Sequence, residues 1–516
     1  MGMVRAGVDG SNASGALAAV STSWPVEPAP LLAALETLRA DIEREAGTVT
    51  AGWSAVLLDE AFRPSAENLA AYLALRRHDL SALQGALSAL GLSSLGRCES
   101  HVLASLDAVI AALARLAMIE NRPLFPPATV WRAGADRLAD QRRALFGADS
   151  GSTAIMVTLP SEAAADGALV DRLVAAGMDC ARINCAHDTP SDWIAMARLV
   201  REAASRRRRD CRVVMDLPGP KCRIETLSPE KPDRVHVGDR LRLTVAPRKA
   251  VSGVPSLTIS FPEVVERLRP GAEVWIDDGK IRARVVSIEE GHRILEVYGA
   301  REKGEKLRID KGVNLPDMPL GLPALSAEDL AAIPVLAAHA DMIGFSFVQH
   351  PHDIVDLDHA VAAAAPGRAL MPLILKIETP EAVRNLPRLI AQAAGSRPTA
   401  VMIARGDLAV ELGHARLAEI QEEILWLGEA ARVPVVWATQ VLDDLVKDGL
   451  PSRAETTDAA MAQRAECVML NKGPHAVEAI GFLTDVFARM ARHQAKKSAR
   501  LGALNAWPLE ALAIRD

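Results

Sequence analysis

Eight short runs rich in β-branched and other apolar residues punctuate the chain after Gly151, at 154–159, 180–184, 212–216, 342–347, 372–376, 400–404, 434–439 and 467–470. Amphipathic helical segments separate them. That alternation is the signature of parallel strands joined by crossover helices, and eight such units predict a closed (β/α)8, or TIM, barrel. Most gaps hold a single helix. The gap between Asp216 and Met342 is about four times too long for one, so a further unit is inserted there.

The insert reads as all-β. Runs at 240–245, 273–276, 281–286 and 294–297 are short, partly alternating, and separated by Gly, Pro and Asp-Asp-Gly turns. A small β-barrel following the third strand stands over the C-terminal mouth, where barrel active sites lie. Ser326 with Asp329 is expected to cap the helix that resumes the α/β pattern. Before the barrel, Leu31, Leu35, Leu38 and Ile42 recur at helical spacing, and Ser81 with Gln84 suggests a capping box closed by Gly91. The cluster Arg76, Arg77, His78 and Asp79 reads as surface or interdomain salt bridging. The expected division is a flexible N-terminus over 1–28, a helical extension over 29–150, a barrel over 151–218 and 314–492, a lid over 219–313 and a tail over 493–516.

Composition narrows the class of function. Of 516 residues, 49% are hydrophobic and 24% charged, which excludes wholesale disorder, collagen and a disulfide scaffold. Fifty-nine Lys and Arg against 65 Asp and Glu give a net charge of −6 and no general field for nucleic acid. The run Arg206–Arg209 reads as a solvated helix end. Six cysteines without a C-x-x-C pair argue against a disulfide framework and a zinc site and fit a reducing cytoplasm. No secretory signal is evident near the N-terminus, and no apolar run approaches a membrane span. Phosphate-loop, dinucleotide, zinc-protease and serine-elbow motifs are all missing, so any chemistry comes from a dispersed site.

The strand ends supply one. Lys376 and Glu378 close the fifth run and, two residues apart, project to the same side. Arg405–Gly406–Asp407 ends the sixth run at a turn into a short helix, whose free N–H groups can hold a carboxylate or phosphate. Glu378 and Asp407 would converge from neighbouring strands with room for waters and substrate oxygens, an arrangement that suits Mg²⁺. Thr439 ends the seventh run. Across the mouth, Arg182, Asn184 and His187 end the second run, and Asp216, Lys221 and Arg223 belong to the end of the third. With Lys311 they make a cationic cup around an acidic pair, the electrostatic apparatus of phosphoryl transfer. Taken alone, His187 reads as a structural hydrogen-bonding residue.

The segments M-D-C-A-R-I-N-C-A-H, D-L-P-G-P-K-C-R, I-D-D-G, D-K-G-V-N-L-P, L-K-I-E-T, A-R-G-D-L-A-V-E and W-A-T-Q jointly resemble the pyruvate kinase family, in the family's order, from about Ala154 to Ile480. The resemblance implies a cytoplasmic enzyme of glycolysis that moves the phosphoryl group of phosphoenolpyruvate to ADP, giving pyruvate and ATP, with Mg²⁺ or Mn²⁺ as cofactor. It implies catalytic roles for Arg182, Lys376 and Thr439, and divalent-metal ligands in Glu378 and Asp407. Substrate binding would fall to Arg182, Lys376, Gly406, Asp407 and Thr439. The nucleotide would meet Asn184, Cys185, Ala186, His187, Arg223 and Lys311. No nucleic acid or membrane partner is implied, and homo-oligomeric assembly stays open.

Departures from the family pattern carry their own expectations. The usual serine and threonine of the potassium site are replaced by Ala186 and Leu217, and its usual glutamate by Lys221. A lysine near Asn184 and Asp216 would supply the missing positive charge covalently, so K⁺ is not expected to be required. The common L-S-G-E-T loop is replaced by Leu470–Asn–Lys–Gly–Pro474, where Lys472 could add a phosphate contact. The short remainder after Gly473 predicts no regulatory C-terminal domain and no activation there by a sugar phosphate. Two alternatives accompany this reading. One is a Mg²⁺-dependent 2-oxo acid lyase on a TIM barrel, and the other a catalytically retired binding or regulatory protein.

Overall fold

The computed structural model describes residues 26–147, 153–251, 253–316, 318, 321–495 and 498–499. Most of the lead expected over 1–28 and most of the tail expected over 493–516 lie outside the described residues. The first three runs fold as β1 (Ala154–Thr158), β2 (Cys180–Asn184) and β3 (Arg212–Asp216). The insert contributes β4 (Ile224–Ser228), β5 (Arg240–Leu243), β6 (Ser256–Ile259), β7 (Glu273–Ile276), β8 (Ile281–Glu289), β9 (His292–Gly299) and β10 (Val313–Asn314). The chain then returns through β11 (Met342–Phe345), β12 (Leu373–Ile377), β13 (Thr399–Ala404), β14 (Val435–Val441) and β15 (Cys467–Leu470).

The eight outer members of that series close a parallel barrel in the order β1-β15-β14-β13-β12-β11-β3-β2. Alternation along each strand sorts the side chains. One set, including Met156, Cys180, Val214, Met342, Ile374, Met402, Val436 and Met469, packs inside the barrel, while Ile155, Val157, Val213 and Leu375 join the core shared with the surrounding helices. Two residues beyond the inner set, at the C-terminal end, the interior positions turn polar at Thr158, Arg182, Asp216 and Lys376. The mouth of the barrel is therefore where the apolar filling stops.

The insert forms a seven-stranded sheet of order β10-β7-β8-β9-β5-β6-β4, and a bridge between Arg223 and Gly312 ties its two edges together. It has its own core, including Leu241, Val274, Ile281 and Leu295. Asp277 and Asp278 at φ 54° and 55° make the expected Asp-Asp-Gly hairpin turn between β7 and β8. Three lid strands, β4, β6 and β10, were not expected, and β10 carries the lid sheet through Asn314. β10 is only two residues long, too short for an alternating pattern to register.

Helices Pro28–Trp53, Arg63–Leu75, Ser81–Ala89, Val102–Leu116 and Ala128–Phe146 make up the extension. The Ser326–Asp329 capping box forms as expected, at the start of helix Ala327–His339. The one expected at Ser81 does not: Ser81 is itself the first helical residue, and its hydroxyl bonds Asp79 at 2.6 Å. The extension is fastened to the barrel's outer helices. Asn68 Nδ2 donates to the Ala430 carbonyl at 2.8 Å, Arg432 to that of Ser100 at 3.0 Å, and the Arg76 guanidinium lies 4.8 Å from the Trp426 ring. Its last helix ends in Leu145 and Phe146, both fully buried among the interior barrel residues Ala154, Met156 and Cys467. The extension thus helps fill the barrel interior.

Candidate active site

Asp216, at the end of β3, is 1% exposed and anchors the mouth. Arg182 on the adjacent β2 donates to its Oδ2 through Nη2 at 2.5 Å and Nε at 3.0 Å, and through Nη1 to Thr158 Oγ1 at 3.1 Å. Lys376 Nζ reaches the same Asp216 oxygen at 3.1 Å, Glu378 Oε1 at 3.1 Å and Ser346 Oγ at 2.6 Å. A carboxylate this buried needs such company, because desolvation alone favours its neutral form. Burial pushes the Asp216 carboxyl up, but Arg182 and Lys376 outweigh it and hold it below the usual range. For Lys376, burial works downward and is outweighed by Asp216 and Glu378, so the ammonium is stabilised.

Glu378 is 2% exposed, and its second oxygen accepts the Phe347 N–H at 2.6 Å. Its carboxyl is raised above the usual range, by burial first; Lys376 opposes that, and the charge of Asp407 adds to it. Glu378, with the charge of Asp407 near enough to raise it, makes with Asp407 a hard-oxygen donor pair for a divalent cation. Among the described residues no group of three or more His, Cys, Asp and Glu side chains could hold a metal ion. Two carboxylate donors are chemically compatible with Mg²⁺, which keeps waters and substrate oxygens in its shell.

Asp407 sits in the first turn of helix Arg405–Leu412, directly after β13, which is the turn into a short helix that the sequence suggests. Gly406 is required by close approach: a Cβ there would lie 2.9 Å from Thr439 Cγ2. Thr439 itself has φ +72°, an uncommon conformation for a β-branched residue and one concentrated at functional sites. Arg405 holds it, donating to the Thr439 carbonyl at 2.6 Å and to that of Ala438 at 2.8 Å, while its guanidinium pairs with Asp458 at 2.5 Å. Gly406, Asp407 and Thr439 are thus gathered at one side of the mouth.

Asn184, Ala186 and His187 leave the end of β2 towards solvent, whereas Cys185 is buried in the barrel core with its sulfur 3.9 Å from the Ile183 carbonyl. Of the stretch expected to meet the nucleotide, the Cys185 side chain therefore faces away. Burial first, then the charges of Lys472 and Arg223, holds the His187 imidazole below its usual value. Arg223 is hooked to the Asp310 carbonyl at 3.0 Å. Lys311, on the lid, pairs with Asp277 at 2.9 Å, and Lys280 shares that carboxylate at 3.0 Å.

Lys221 departs from its expected position. Its ammonium pairs with Asp407 Oδ1 at 2.6 Å rather than with Asp216, whose charge Arg182 and Lys376 already satisfy. Ser346, Arg405 and Thr158 are site-building residues that the sequence does not single out. Arg405 stands inside the A-R-G-D segment and was legible there, while Ser346 and Thr158 are ordinary strand-end residues without a local signal. All six cysteines are free and buried, and none stands as a candidate nucleophile.

A closed parallel barrel, a β-lid inserted after its third strand, and a mouth gathering Arg182, Lys221 and Lys376 against Asp216, Glu378 and Asp407 define a lidded (β/α)8 domain with the apparatus for anionic substrates. Residues 151–479 match the family model described as pyruvate kinase, barrel domain, and the chain belongs to the pyruvate kinase family. Pyruvate kinases of Corynebacterium efficiens and Corynebacterium glutamicum are each 35% identical to it, over 335 and 338 residues. That of Methylorubrum extorquens is 32% identical over 337 residues. Each aligned stretch covers 63% of this chain and 66–67% of the relative, so the chain spans about two thirds of their length. No described helix is long and apolar enough to cross a membrane.

Proposed function

We propose that the protein transfers the phosphoryl group of phosphoenolpyruvate to ADP, forming pyruvate and ATP. The observation that carries this reading is the buried cluster in which Lys376 stands 3.1 Å from both Asp216 and Glu378, with Arg182 bonded to the same Asp216 oxygen. Asp216 is the fixed post of the cluster. It orients the Arg182 guanidinium towards the phosphoryl group and leaves the Lys376 ammonium protonated beside the bridging and enol oxygens, where negative charge develops. Such preorganised cations act at a site largely withdrawn from water, where each counts for more than in solution.

Glu378 and Asp407 would hold Mg²⁺, which supplies charge stabilisation at the phosphoryl and enolate oxygens when bound. The first turn of helix Arg405–Leu412 and Thr439 would receive the substrate's carboxylate, with backbone N–H groups and a hydroxyl as donors. Asn184, His187 and Arg223 stand where ADP phosphates would approach, and Lys311 would meet them from the lid. Lid closure would exclude water, the competing phosphoryl acceptor.

Lys221 supplies a tethered positive charge at Asp407, and K⁺-independence is part of this proposal. Phosphorus NMR of purified protein with phosphoenolpyruvate, ADP and Mg²⁺ tests the reaction itself. The phosphoenolpyruvate resonance should fall as the γ-phosphate of ATP rises in equal amount; release of inorganic phosphate instead would refute the transfer.

A further inference from the structure

The seventh barrel strand does not run straight into the mouth. Its pairing with β15 shifts register between Trp437 and Val441, and within that bulge Thr439 and Gln440 both take left-handed backbone, at φ +72° and +59°. Such a conformation is unfavourable for a β-branched residue and persists only where its surroundings impose it. Arg405 imposes it here. Its Nε bonds the carbonyl before Thr439 and its Nη2 the carbonyl after, at 2.8 and 2.6 Å. Because peptide groups are planar, a guanidinium that fixes both flanking carbonyls fixes the φ and ψ between them. The guanidinium is itself held. Asp458, on helix Arg453–Ala462, accepts from Nη1 at 2.5 Å and from Nη2 at 2.8 Å as a bidentate pair, and from the Trp437 indole N–H at 3.3 Å. The plane of the arginine is set further by the buried Trp437 ring, 4.7 Å away.

We propose that Asp458 is a positioning residue for substrate binding: by pinning Arg405 it keeps the β14 bulge in the form that sets Thr439 against Gly406, ready for the substrate's carboxylate. Asp458 acts through Arg405 and not on the substrate itself. The close fit of Thr439 Cγ2 to the space where a Cβ on Gly406 would lie, 2.9 Å away, makes that pocket sensitive to a small shift of the bulge. Without Asp458 the guanidinium keeps its charge but loses the two bonds that orient its plane, and the Thr439 backbone is freed towards extended conformations. The inference rests on the reading of Gly406, Asp407 and Thr439 as receivers of the substrate's carboxylate.

The test is a double-mutant cycle in the full chain, read by calorimetry with oxalate, a planar dicarboxylate, and Mg²⁺. Asp458→Ala should weaken oxalate binding by about tenfold or more. Asp458→Asn, which keeps the shape but breaks the bidentate pair, should weaken it in the same direction and serves the cycle if the alanine variant does not fold. In a Thr439→Gly background, where left-handed backbone carries no penalty and the hydroxyl is already gone, the same change at Asp458 should add less than about twofold. A merely structural Asp458 would weaken oxalate by one factor in both backgrounds. That result, or oxalate affinity unchanged in both Asp458 variants, would overturn the inference. Parent protein that takes up no oxalate would overturn the carboxylate reading and this inference with it. Oxalate binding with the expected coupling, in protein that transfers no phosphoryl group, would support the inference and count only against the phosphotransferase reading.

Discussion

Gly344 and Asp216 leave no room for a methyl group between them: a Cβ at position 344 would lie 1.8 Å from Asp216 Oδ1. β11 and β3 are paired in register at these two residues, so the glycine is the neighbour that lets a fully buried carboxylate lie across the barrel mouth. Gly344→Ala should push Asp216 away from Arg182 and Lys376. The expected outcome is a fall in kcat of about a hundredfold or more, with a stability loss of about 1–3 kcal/mol from overpacking. Steady-state kinetics beside thermal unfolding checks it, and activity within threefold of the parent would show that Asp216 does not organise the site.

Phe146 carries the second expectation. It is fully buried among interior barrel residues, although it belongs to the extension. Phe146→Ala should cost about 3–5 kcal/mol, the range for emptying a buried aromatic site. Denaturant unfolding reads this directly. A loss below about 1 kcal/mol would mean that the extension is an appendage, and a truncation starting near Ala148 would then remain folded.

What was legible in advance follows from where the signal lies. Eight strands buried on both faces leave near-continuous apolar runs, so the barrel and its order could be read from residues alone. Lys376, Glu378 and Asp407 stand at run ends, where a charge after a buried strand is conspicuous. Ser346 and the Gly344–Asp216 fit depend on which strands become neighbours, and β3 meets β11 across the whole inserted lid. Lys221 shows the same limit. Its substitution was evident, but its choice of Asp407 over Asp216 depends on Arg182 and Lys376 having already claimed the latter. Leu145 and Phe146 fall within the helical extension expected over 29–150, and nothing local tells a helix terminus that it will enter a barrel.

Lys221 gives a third expectation. Its ammonium lies 2.6 Å from Asp407 and is proposed to stand in for a mobile monovalent cation. Rates in Na⁺ and K⁺ buffers of equal ionic strength should agree within about twofold, whereas Lys221→Glu should lose about tenfold or more in Na⁺ and recover in K⁺. A tenfold K⁺ dependence of the parent protein would sink the idea.

Glu378, as a proposed Mg²⁺ ligand, gives a fourth expectation: metal binding that depends on pH. Burial, reinforced by Asp407 and opposed by Lys376, raises its carboxyl above the usual range, so the metal-free protein retains a proton there to higher pH than an ordinary glutamate. A carboxylate must be ionised to hold Mg²⁺, so binding at Glu378 would release that proton, and affinity is expected to rise as pH rises through the raised value. Calorimetric titrations from about pH 5 to about pH 8 should show tighter binding at higher pH and, near the raised value, an enthalpy that depends on the buffer's own ionisation heat. Glu378→Gln should abolish both effects; pH-independent binding would contradict the assignment of Glu378 as ligand.

Lys376, held by Asp216 and Glu378, is proposed to stabilise phosphoryl transfer without help from K⁺. Pyruvate formation from phosphoenolpyruvate, ADP and Mg²⁺ in K⁺-free buffer measures it most directly, with Lys376→Met as the comparison. The expected result is turnover by the parent and a loss of about a thousandfold or more in the variant, with the fold intact by circular dichroism. Folded parent protein that forms no pyruvate, with or without added K⁺ and Mn²⁺, or a variant as active as the parent, would contradict it.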